Sequence, residues 1–118
     1  MQNGFRVEVR HEEGATVLAV AGELDLATSP TLEQQLALLS GGSNSQEPLI
    51  LDRRELEFID STGLGVLVRA HQRAQDLGRR FGVIRGRRQV QRLLALTGVA
   101  ERMPVADSVR ELLAGLGA

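Results

Sequence analysis

The chain has 118 residues, with 14 basic against 15 acidic side chains and a formal net charge of −1, which is one domain's worth of sequence. Every basic residue is an arginine and cysteine is absent, which excludes a catalytic or Schiff-base lysine, a Walker-type lysine, a disulfide framework, a thiolate nucleophile and a cysteine zinc site. The balanced charge weighs against bulk attraction to nucleic acid or an anionic membrane. The opening residues Met1 to Arg6 lack the pattern of a signal peptide. No run approaches the roughly 18 apolar residues of a membrane span, so the expectation is a soluble cytoplasmic protein without membrane insertion.

Phe5, Val7 and Val9 alternate with Arg6, Glu8 and Arg10, the signature of a half-buried strand. His11-Glu12-Glu13-Gly14 reads as a turn, and Thr16 to Ala21 as the hairpin partner, closed by Gly22-Glu23-Leu24-Asp25. Thr28-Ser29-Pro30 is a helix start with a hydroxyl cap, and Leu32, Leu36 and Leu39 predict an amphipathic helix over residues 29–40. Residues 41–47 form a polar loop, expected to be flexible and too short to be a domain linker. Pro48 to Asp52 is a continuous apolar run, the pattern of a strand covered on both faces.

After a charged connection, Phe58-Ile59-Asp60-Ser61-Thr62-Gly63 leads into a second helix. Over residues 63–77 a helical wheel collects Leu64, Leu67, Val68, His71 and Ala74 on one face and Gly65, Arg69, Gln72, Arg73 and Asp76 on the wet one. Gly78 ends that helix, and Phe81-Gly82-Val83-Ile84 is a short strand. Val90, Leu93 and Leu94 mark a third helix stopped at Thr97-Gly98. Met103-Pro104-Val105 predicts an edge strand. Asp107 is expected to cap a last helix burying Val109, Leu112, Leu113 and Leu116. The order β-β-α-β-α-β-α-β-α predicts an α/β domain spanning residues 1–118. Its sheet should be mixed and mostly parallel, with four to five strands and about four helices.

Asp60-Ser61-Thr62 at a helix start has two compatible readings. One of the three caps the helix, or a hydroxyl there is exposed and suited to carry a phosphate, because free amides and the helix dipole favour a dianion. A hydrolase triad around Ser61 fails. Ile59 stands where a nucleophile elbow needs glycine, His71 falls on the core face, and His11 lies in a distant turn. Gly63-Leu64-Gly65 is followed by Val68 where a dinucleotide fingerprint needs glycine, so that pattern fails too. Gly63 instead permits close approach to the helix, and Gly65 leaves its outer face bare, as a docking partner requires. Glu23 and Asp25 read as a solvated strand end, able to order a loop or face a basic partner. The arginines at 79, 80, 85, 87, 88 and 92 form a cluster around the Phe81–Ile84 strand, expected to be a solvated loop and helix start. With three phenylalanines and no tyrosine or tryptophan, no stacking platform supports nucleic-acid binding.

Gly22-Glu23-Leu24-Asp25, the strand ending at Asp52, Phe58-Ile59-Asp60-Ser61-Thr62-Gly63-Leu64-Gly65, and Leu93-Leu94 with Thr97-Gly98-Val99 together resemble a STAS domain. The similarity is narrower still to bacterial anti-sigma-factor antagonists, and it covers nearly the whole chain. The resemblance implies binding without catalysis and no cofactor. Unphosphorylated, such a protein captures an anti-sigma factor that is also a serine kinase, and so frees a sigma factor. The kinase, which would hold the ATP and magnesium, inactivates it by phosphorylation, and a serine phosphatase resets it. The phosphoacceptor falls on Ser61, with Thr62 the alternative. The implied partner surface is Asp25, Asp60, Ser61, Thr62, Gly63, Gly65 and Arg69, with no direct nucleic-acid contact. The second expectation is a non-catalytic scaffold subunit of a transport or stress-signalling complex.

Overall fold

In a computed structural model, the described residues are 4–40, 46–96, 98 and 103–116, with the side chain of residue 116 not included. They form β1 (Arg6–Glu12), β2 (Ala15–Leu24), α1 (Ser29–Ser40), β3 (Leu49–Asp52), β4 (Leu56–Ile59), α2 (Ser61–Asp76), β5 (Phe81–Ile84), α3 (Arg88–Leu96), β6 (Val105–Ala106) and α4 (Val109–Leu116). The class is the mixed, mostly parallel α/β sheet with four helices, and the sheet has six strands in the order β1-β2-β3-β5-β6, with β4 beside β2. β4 is the strand the sequence order omits: Leu56 lies inside what reads as a charged connection, and Phe58-Ile59 read only as the lead into the second helix.

β1 and β2 form an antiparallel hairpin, and every other pairing is parallel. The hairpin turn is Glu13-Gly14 alone, since β1 runs on through His11 and Glu12. Both turn residues have positive φ, 51° and 82°, the conformation that matches strand twist in a two-residue loop. β2 bends at Gly22 (φ 88°), where its register shifts and it passes from β1 to β4. A Cβ at Gly22 would lie 2.8 Å from the Gly4 carbonyl oxygen, so only glycine allows both the bulge and the crossing.

The two-residue period of the strands sorts the core into two layers. Leu18, Val20, Leu49, Leu51, Phe81 and Val83 face α1, α2 and α3, which contribute Leu32, Val66, Leu67, Ala74, Val90 and Leu94. Val17, Ile50 and Ile84 face the other way, onto Val109 and Leu112 of α4. β3 and β5 are buried along their whole length, as covered parallel strands should be. His71 is buried among apolar groups, its ring 5.4 Å from that of Phe81. Val66, missing from the helical-wheel face, is also fully buried, because α2 starts at Ser61 and is gripped by β2 and β4 at its first turn.

Four local expectations are corrected. The Thr28 hydroxyl does not cap α1; it accepts from the Asp25 amide at 2.9 Å and donates to the Glu23 carbonyl at 2.8 Å. Ser108, not Asp107, caps α4, its hydroxyl accepting from the Glu111 amide at 3.1 Å, while Asp107 pairs with Arg85. The edge strand lies at Val105–Ala106, past Pro104. Arg79 is no solvated cluster member: it is buried, and its guanidinium donates to the carbonyls of Glu47 (2.6 Å) and Leu39 (3.2 Å), tying the β5 entry to α1. Of the third helix's expected stop, Gly98 has φ 76°, while Thr97 and Val99 fall outside the described residues, as do positions 41–45 of the polar loop.

Candidate functional site

Parallel pairing carries β2 and β4 to the same end of the sheet, and α2 begins directly after β4. Asp60 is the N-cap. Its Oδ1 accepts from the Gly63 amide at 2.9 Å and its backbone carbonyl from the Leu64 amide at 2.9 Å. Its Oδ2 accepts from the Leu26 amide at 3.2 Å, so one carboxylate joins the helix start to the loop after β2.

Asp25 orders that loop from inside. Its Oδ1 accepts from the amides of Ala27 (3.0 Å) and Thr28 (3.1 Å), and its carbonyl accepts from the Ser29 amide at 2.8 Å. Of the two expectations for Asp25, loop ordering is therefore the one the hydrogen bonds support.

With Asp60 in the capping role, Ser61 and Thr62 are released from it. Ser61 is exposed, Thr62 is half-buried, and neither hydroxyl has a hydrogen-bond partner among the described residues. Ser61 is the first helical residue, so its own amide and that of Thr62 are among the orphan donors of the first turn. The hydroxyl thus sits at the positive end of a 16-residue helix, reachable from solvent.

Gly63 and Gly65 part company. A Cβ on Gly63 would stand 2.7 Å from Leu24 Cγ and 2.8 Å from the Leu24 carbonyl oxygen. Gly63 is therefore a buried spacer that lets α2 close onto β2, and it presents no surface to a partner. Gly65 looks outward but is not bare: its missing side chain leaves room for the Arg69 guanidinium, whose Nη1 would lie 3.2 Å from a Cβ there. Arg69 is exposed and donates to Glu33 of α1 at 3.2 Å. Together Arg69 and Glu33 cross a shallow groove of about 210 Å³ between α1 and α2, floored by Leu36, Val66 and Ala70.

The structure therefore gathers Asp25, Asp60, Ser61 and Thr62 at one loop–helix junction and sets Gly65 and Arg69 one and two turns further along α2. Among the exposed apolar residues, two lie on the elements that form this junction and had no surface role assigned from the sequence: Leu26, 73% exposed, and Phe58, 47% exposed. Leu26 is held beside the junction by its amide bond to Asp60. Its signal was an apolar side chain in a turn between Asp25 and Thr28, where nothing local demands one. No group of metal-ligating side chains occurs among the described residues, and no helix is long and apolar enough to cross a membrane.

Known proteins carry the same architecture. An anti-sigma F factor antagonist of Paenibacillus polymyxa is 29% identical over 104 residues, covering 88% of both chains. The crystal structure of an anti-sigma factor antagonist from Mycobacterium paratuberculosis superposes with a TM-score of 0.83 at 25% identity, covering 100% of this chain and 98% of that one. The Bacillus cell-fate determinant SpoIIAA in its phosphorylated form shares the fold, with a TM-score of 0.68 at 17% identity over 95% of this chain and 98% of its own. The STAS domain family model matches residues 6–112, and the chain belongs to the STAS domain family.

Proposed function

We propose that this chain is a cytoplasmic anti-sigma-factor antagonist, a binding protein rather than an enzyme, whose capture of an anti-sigma factor is switched off by phosphorylation of Ser61. The observation that carries the reading is the division of labour at the start of α2. Asp60 takes the cap, so the Ser61 hydroxyl is exposed and committed to no bond. The similarity to an anti-sigma F factor antagonist supports the choice of partner.

The chemistry needed of this chain is small. Ser61 Oγ is the nucleophile, and its proton passes to a base on the kinase. The phosphoryl group leaves ADP on the kinase, which holds the ATP and magnesium, and a serine phosphatase later returns the hydroxyl. The phosphate brings about −1.5 to −2 charges to a helix N-terminus. The dipole and the Ser61 and Thr62 amides favour them there, so the domain stays folded. The switch then acts on the partner, through bulk, desolvation cost and repulsion from acidic groups across the interface, with Leu26 and the Arg69–Glu33 pair as further contacts.

Two variants test this against the anti-sigma factor recovered from the native cell, in an ATP-dependent phosphorylation and pull-down assay. Ser61→Ala is expected to bind and to take up no phosphate; uptake by that variant moves the site to Thr62. Ser61→Asp is expected to lose capture while its Tm stays within about 2 °C of the parent, given the small cost of surface substitutions. Retained capture by Ser61→Asp overturns the switch, and neither capture nor phosphate uptake by the parent would instead favour the scaffold reading.

A further inference from the structure

Arg53 follows β3 and points into the protein, where it is 1% exposed. Its Nη2 donates to the Gln91 side-chain oxygen at 3.2 Å. Its Nε and Nη1 are buried with no hydrogen-bond partner. A buried guanidinium facing only a neutral amide is an uncompensated charge, an expensive arrangement unless something supplies the opposite sign. No carboxylate among the described residues does so. Asp107 pairs with Arg85, and Glu55, at 3.5 Å, with Arg87. Burial, with repulsion from Arg85, pushes the Arg53 guanidinium down to about 10.

The element that Arg53 reaches is equally short of negative charge. Gln91 lies in the first turn and a half of α3, and its amide bonds to the Arg87 carbonyl at 2.9 Å, which makes Arg87 the N-cap. An arginine cannot accept a capping bond, and the first turn holds no acid. The amides of Arg88, Gln89 and Val90 therefore have no acceptor among the described residues. The loop leading there runs directly over Arg53: a Cβ on Gly86 would lie 2.5 Å from the Arg53 carbonyl oxygen. Arg85, Arg87 and Arg88 are exposed around it.

We infer that the Arg53 guanidinium and the uncapped N-terminus of α3 together form a binding site for a phosphate-class oxyanion, closed in this structure by the Gln91 carboxamide. The anion displaces that carboxamide and accepts from Arg53 on one side and from first-turn amides on the other. Arg85, Arg87 and Arg88 guide its entry, and the Gly86 segment has to lift to admit it. Such oxyanions suit a helix N-terminus because dipole and amides act together, and arginine matches their geometry. The site is separate from the Ser61 junction, on a different helix and with different residues, and does not depend on the antagonist reading.

The probe is inorganic phosphate, titrated at constant ionic strength against chloride, reading Tm and the amide resonances of residues 86–91. A saturable Tm rise of about 4 °C or more, with shifts confined to those amides, is expected. Arg53→Met should fold and lose the response, since an apolar side chain of similar length suits a buried position. Gln91→Glu should raise Tm in the absence of phosphate and also lose the response, because its carboxylate supplies the missing charge from within. Glycerol 3-phosphate in a parallel titration assigns the phosphoryl group to a free ion if it is weaker and to an organic phosphate if it is tighter. A parent Tm that tracks ionic strength alone, or a phosphate response unchanged in both variants, overturns the proposal.

Discussion

Single side chains at two neighbouring positions, Asp52 and Arg53, show how pairing decides the value of a buried charge. Burial raises the Asp52 pKa, but hydrogen bonds from the Arg54 side chain (3.0 and 2.7 Å), the Arg54 amide (3.1 Å) and Arg10 (3.0 Å) outweigh it and hold it at about 2. The folded pKa lies below the ordinary 3.8, so this contribution is present above about pH 4 and is lost as pH falls towards 2. Because both arginines are partly exposed, its size is discounted to about 1–2 kcal/mol. Asp52→Asn should therefore cost about 1–3 kcal/mol at pH 7 by urea denaturation and flatten stability between pH 4 and 2. Arg53 has no such partner, and one sequence position separates a satisfied charge from an unsatisfied one.

At the scale of elements, the start of α2 rests on the fit between a helix and two strands. Gly63→Ala would drive a methyl into the backbone of Leu24, which cannot yield as a flexible side-chain end can. The expected cost is about 1–3 kcal/mol, with weaker partner capture as α2 is pushed off β2. Gly65→Ala meets only the Arg69 guanidinium and gains helix propensity, so its stability should be unchanged or up to about 1 kcal/mol higher. Thermal melts of the two variants should separate cleanly; equal losses would mean that the seam is not the tight contact described. The helical spacing of α1 and the short apolar runs of β3 and β5 were legible in the sequence to the residue or nearly so. β4 was not, because Glu55 and Glu57 flank Leu56 and the strand is completed by pairing with β2, a long-range event that local pattern does not record. Among caps, residue type narrowed the choice, and geometry decided it. Asp60, Ser61 and Thr62 are all capping residues, and only the bond to the Gly63 amide says which one caps and which one is spare.

For the whole molecule, acidification should remove stability in two stages. Burial lowers the His71 pKa from its ordinary 6.5, so the folded state prefers the neutral ring more than the unfolded chain does. That contribution is intact above about pH 6.5 and is lost as pH falls below it. The Asp52 stage follows below about pH 4. His71→Leu should erase the first stage and leave the second, as read from urea midpoints between pH 7 and 2; an unaltered first stage would place its origin elsewhere.

β2 also has a consequence for how the chain reaches this structure. Among the described strands it alone pairs with three others, antiparallel to β1 and parallel to β3 and β4. Its hairpin with β1 closes through two residues, whereas β3 arrives only after α1 has been traversed. Local contacts form early because little loop entropy opposes them. The hairpin is therefore the natural first template, on which β3 and then β4 align. The bulge at Gly22 gives that template two directions, one for each arriving strand, and turns its last residues towards the Ser61 junction.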